Sequence, residues 1–99
     1  MQVFLPLYDN TGRAISQARF EQAAQVLTKH FGGLTTYTRA PARGVWKKRG
    51  GRSRLDDMII YEVMSQRLEK KWWKAERLAL EKSFGQVSIL IRAHVIMRL

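Results

Sequence analysis

The chain has 99 residues, the length of one domain with one modest core, and 45% of them are hydrophobic, enough to argue against wholesale disorder. Eighteen Lys and Arg against eight Asp and Glu leave a net charge of +10, which favours polyanionic partners and says nothing about catalysis. There is no cysteine, which excludes disulfides, thiolate metal sites and a cysteine nucleophile, and no apolar run approaches the ~20 residues of a membrane span.

The opening residues carry no basic region and reach Asp9 before a signal-length apolar run develops, so a cytoplasmic location is expected. Residues 2–8 read as a short apolar strand in which Pro6 is awkward, because proline cannot donate to a ladder. Asp9-Asn10-Thr11-Gly12 is a turn, and Ser16 is placed to cap a helix through its hydroxyl. Phe20, Ala24, Leu27 and Phe31 then recur at helical spacing as one buried stripe, ended by Gly32-Gly33.

Residues 34–40 are rich in β-formers and predict a second strand. Between Pro41 and Arg54, Gly44-Val45-Trp46-Lys47 can extend the sheet and Arg49-Gly50-Gly51-Arg52 can reverse it. Met58 to Met64 is apolar on both faces but for Glu62, which suits a central strand. Ser65 is expected to cap a second helix running to about Ser83, with Arg77 able to pair with Glu81 and Gly85 as terminator. Of the adjacent Trp72 and Trp73, one should pack under the sheet and the other at the core margin.

Residues 86–98 alternate cleanly and predict a last strand. Val87, Ile89, Ile91, Ala93, Val95 and Met97 should lie under the helices, with Leu90, Arg92, His94, Ile96 and Arg98 on the other face. The sum is a single domain over 1–99, α+β, with a ferredoxin-like β-α-β-β-α-β order. The expected sheet is antiparallel and four-stranded, in spatial order 4-1-3-2, with two helices on one face.

Phe31-Gly32-Gly33-Leu34-Thr35, then Gly44-Val45-Trp46, then Phe84-Gly85-Gln86-Val87-Ser88-Ile89 resemble a family of small bacterial domains of unknown function. Its pattern runs F-x-G-L-T, G-x-W and F-x-Q-x-S-V. The resemblance implies a ferredoxin-like fold and no known activity. More loosely, the topology is similar to dimeric α+β barrel proteins, which include small cofactor-free monooxygenases, isomerases and haem enzymes.

Two constellations stand out. Arg39, Arg43, Lys47, Lys48, Arg49, Arg52 and Arg54 form a basic run around Trp46, fit to hold phosphates and stack a base, or simply to be a solvated hairpin tip. The uncovered sheet face should carry Phe4, Tyr8, Tyr37, Arg39, Ile60, Glu62, Leu90, Arg92 and His94. A phenol, a carboxylate, a guanidinium and an imidazole there suit acid–base work, with His94, Glu62, Tyr37 and Arg92 as the candidates. The plainer reading is a homodimer interface with Glu62 paired to Arg92. His30 is expected at the C-terminal end of the first helix. No metal site and no cofactor are expected, since two separated histidines and no phosphate loop supply neither.

Overall fold

The computed structural model describes residues 1–39 and 58–99. In chain order these form β1 (Gln2–Pro6), α1 (Gln17–Phe31), β2 (Thr35–Arg39), β3 (Met58–Glu62), α2 (Lys70–Ser83) and β4 (Ile91–Arg92). The sheet is antiparallel, with spatial order β2-β3-β1-β4, as the sequence predicts. Pro6 is accommodated because it ends β1, opposite Met58, where β4 no longer runs alongside. The expected extension and reversal between Gly44 and Arg52 lie outside the described residues.

Register decides which side chains meet the helices. Val3, Leu5, Tyr61, Val63 and Ile89 join Phe20, Ala23, Leu27, Trp73, Leu80 and Phe84 in one buried cluster, so both helices cover the same face. The α1 stripe is as expected, with Phe20 and Leu27 buried and Ala24 and Phe31 packed at its edge. Phe20 meets Phe84 edge-to-face at 5.0 Å. Tyr61 enters this layer with its hydroxyl satisfied, donating to the Phe20 carbonyl at 3.1 Å, and burial raises its pKa. Trp73 is buried and Trp72 sits at the margin, in the division the helical geometry requires.

Gly32 closes α1 in the left-handed region (φ 84°), its N–H donating to the Thr28 carbonyl at 2.7 Å. Gly85 closes the turn after α2 at φ 58°, and a Cβ there would lie 3.0 Å from Asp9 Cβ. Gln86 donates to the Tyr8 and Phe84 carbonyls at 2.8 and 3.0 Å. The Phe84-Gly85-Gln86 triplet therefore pins the end of α2 to the turn after β1. Asp9 holds that turn through Oδ1, which accepts from the Thr11 hydroxyl and from the Thr11 and Arg13 N–H groups; these bonds lower its pKa.

Four expectations need correction. Ser16 stands at the N-cap of α1, but its side chain makes no cap hydrogen bond. The second helix begins at Lys70, not after Ser65: Ser65 Oγ bonds the Arg67 carbonyl at 2.8 Å, holding a non-helical turn, and Glu69 occupies the cap position. Glu81 turns its carboxylate to the Ile89 N–H at 3.0 Å, and no Arg77–Glu81 ion pair forms among the described residues. The last strand is two residues long rather than thirteen. Ile89 and Ile91 do lie on the helix side, but Val87, Ala93, Val95 and Met97 are exposed. Alternation supplies a strand's side-chain pattern, while a ladder also needs a partner backbone, and β1 offers β4 only Gln2 and Val3.

Candidate functional site

The face turned away from the helices is built by the other parity of the same strands. Gln2 lies between Glu62 of β3 and Arg92 of β4, and Phe4 lies beside Ile60. The Phe4 N–H donates to the Leu90 carbonyl at 3.0 Å, which brings Leu90 to its other flank. Tyr37 pairs with Ile60 and Thr35 with Glu62, which carries both rows onto β2. An apolar row, Leu90–Phe4–Ile60–Tyr37, thus runs beside a polar row, Arg92–Gln2–Glu62–Thr35.

Side-chain hydrogen bonds join Arg92, Gln2 and Glu62 of the polar row to Tyr37 and so span all four strands. Arg92 Nε donates to Gln2 Oε1 at 3.0 Å, Gln2 Nε2 donates to Glu62 Oε2 at 3.1 Å, and the Tyr37 hydroxyl donates to Glu62 Oε1 at 2.9 Å. The expected Glu62–Arg92 pair is therefore relayed through Gln2. The hydrogen bond to Glu62, helped by its negative charge, holds the Tyr37 proton and raises its pKa. The Arg92 guanidinium also sits 5.0 Å from the Phe4 ring centre, a cation–π geometry. Phe4 is only 4% exposed, although neither α1 nor α2 covers its face.

Of the four acid–base candidates, Tyr37, Glu62 and Arg92 are thus brought into one network. His94 is not: it follows β4 in the exposed segment 93–99 and makes no hydrogen bond among the described residues. Arg39 ends β2, paired with Met58. Arg43, Trp46, Lys47, Lys48, Arg49, Arg52 and Arg54 lie outside the described residues.

Two features were missed in the sequence. Gln2 is the relay: parity with Phe4 puts it on this face, but its partners Glu62 and Arg92 are distant in sequence. The second is a cluster where α1 ends and α2 begins. His30 Nε2 lies 3.1 Å from a Glu69 carboxylate oxygen, and its ring stacks on Trp72 at 4.1 Å. Phe31 stacks on Trp73 at 5.2 Å. His30 thus engages the start of α2 as well as ending α1. Burial raises the Glu76 pKa, and nearby His30 opposes that shift. No group of His, Asp and Glu among the described residues is arranged to hold a metal ion. No helix among them is long and apolar enough to cross a membrane.

Two clefts among the described residues are open to solvent. One of about 430 Å³ lies between the Asp9 turn and the ends of both helices, and another of about 240 Å³ borders Glu62 and Thr35. Neither contains the whole Tyr37–Glu62–Gln2–Arg92 network. Comparison with protein-family models, with curated proteins and with solved structures finds no match to this chain.

Proposed function

We propose that this chain is a self-associating ferredoxin-like domain that works as a homodimer, with its uncovered sheet face as the subunit interface. The observation that carries this reading is the order of groups along the two rows. Arg92 and Glu62 flank Gln2 on opposite sides, and Leu90 and Ile60 flank Phe4 in the same way.

A two-fold axis parallel to the strands and lying over β1 exchanges the positions of β3 and β4. Arg92 then faces Glu62 of the second copy, Leu90 faces its Ile60, and Phe4 faces Phe4. Like chemistry meets like in the apolar row, and opposite charges meet in the polar one. A C2 interface requires this kind of self-complementarity. Aligned sheet-on-sheet packing supplies the geometry. Within the apolar row Leu90 is 56% and Tyr37 46% exposed, and exposed apolar patches are what soluble monomers avoid at large size.

The test is molar mass by light scattering over a range of concentrations. The full chain should be a dimer, and Leu90→Asp should convert it to a folded monomer by placing a carboxylate against the second copy's Ile60. A full chain that stays monomeric at high concentration, or a dimer indifferent to Leu90→Asp, would overturn the reading.

A further inference from the structure

The segment after β4, Ala93–Leu99, carries the most exposed apolar side chains of the described residues. Val95 is 100% exposed, Met97 83% and Ile96 57%, and none of its residues pairs with a strand among the described residues. A second exposed apolar pair follows β3, where Met64 is 64% and Leu68 48% exposed. Neither belongs to the helix-side core or to the four-stranded face. Both continue off the same end of the sheet, because β3 and β4 each run antiparallel to β1 and so run in the same direction.

We infer that segment 93–99 is a clasp that lies on residues 64–68 of a second copy of this chain. The inference rests on the homodimer reading above, and the register carries it one row further. Exchanging β3 and β4 sets Arg92 against the second copy's Glu62, so the next residues on that face, His94 and Met64, also meet. From there the exposed apolar groups of 95–97 run alongside those of Met64 and Leu68 on the other copy.

Area supports a second copy as the occupant. A stable interface takes about 20–30 residues a side, and the strands that face each other across this axis present roughly a third of that number. The two overhanging segments bring the interface close to standard size while hiding apolar surface on both. An edge-to-edge pairing of two such segments would supply backbone partners instead. Combined with the face contact, however, its two-fold axis would not intersect the first, and the assembly would grow as an open chain.

The experiment uses the full-length chain, whose lack of cysteine makes cross-linking unambiguous. In Ile96→Asp/Met97→Asp the dimer dissociation constant should rise at least about tenfold, since these side chains lose their apolar cover. Both are exposed, so the monomer's melting transition should not move. When Met64→Cys and His94→Cys, made as separate single-cysteine variants, are mixed with a thiol-reactive cross-linker of about 10 Å, the spacing of packed sheets, a covalent heterodimer should form; each chain then holds one thiol, so the link can only join two copies. A dimer that is lost in Leu90→Asp but keeps its full affinity in the double Asp variant, with no cross-link, overturns the clasp and leaves the face interface standing. A chain that is monomeric at every concentration overturns both.

Discussion

On the helix side of the sheet, Val3 and Leu5 have no exposed surface and pack in one cluster with Phe20, Leu27, Trp73 and Leu80 of the two helices. On the other side Phe4, between those two residues in sequence, is 4% exposed with the Arg92 guanidinium over its ring, while Leu90 remains 56% exposed. One face is closed by two helices; on the other, polar relays span the strands, Phe4 is covered and Leu90 is not. The difference separates what holds the monomer together from what remains for a partner: a residue's parity in β1 decides which it serves.

Breaking the covered face should give the largest effect. Leu27→Ala removes a fully buried side chain from α1 and should lower unfolding stability by about 2–5 kcal/mol, read from the urea midpoint. Leu90→Ala, measured at concentrations where the chain is monomeric, should cost less than about 1 kcal/mol, because its side chain is already half in water. Equal losses for the two would erase the distinction between the faces.

A smaller effect is expected at the margin of the covered face. Burial raises the Glu76 pKa in the folded chain, so the fold prefers the protonated acid and the charged form is a cost at neutral pH. The favourable contribution is present below the unfolded pKa and is lost as pH rises through the raised folded value. Glu76→Gln should therefore stabilise the protein at pH 7 by about 0.5 kcal/mol, a modest figure because the carboxylate is partly exposed and solvent-screened. The gain should vanish below about pH 4, where glutamate is protonated in both states. An unchanged or lowered melting temperature at pH 7 would place Glu76 in a compensating interaction instead.

The legible parts of the fold were those dictated by local pattern. The α1 stripe, the Gly32 stop, the central placement of β1 and β3 and the division of labour between Trp72 and Trp73 all follow from period and capping chemistry. Face assignment was equally legible, since Tyr37, Glu62 and Arg92 share a side by parity alone. Three things were hidden because they depend on partners distant in sequence. The end of β4 is set by how few residues of β1 pair with it, which alternation in 86–98 does not encode. Ser65 has the right chemistry for a helix cap but spends its hydroxyl on Arg67. Gln2 is an ordinary polar residue until Glu62 and Arg92 arrive on either side.

The most direct test of the account is to mix two variants that should not associate with themselves. In Arg92→Glu the second copy's Glu62 meets an acid, and in Glu62→Arg the second copy's Arg92 meets a base, so each variant alone should be monomeric by sedimentation equilibrium. When they are mixed, every position facing residue 62 or 92 regains an opposite charge across the proposed two-fold axis. The account predicts a one-to-one heterodimer in the mixture, strongest at low salt. Two variants that stay dimeric alone, or a mixture that stays monomeric while the unaltered chain forms a dimer, would contradict the proposed pairing of the two faces.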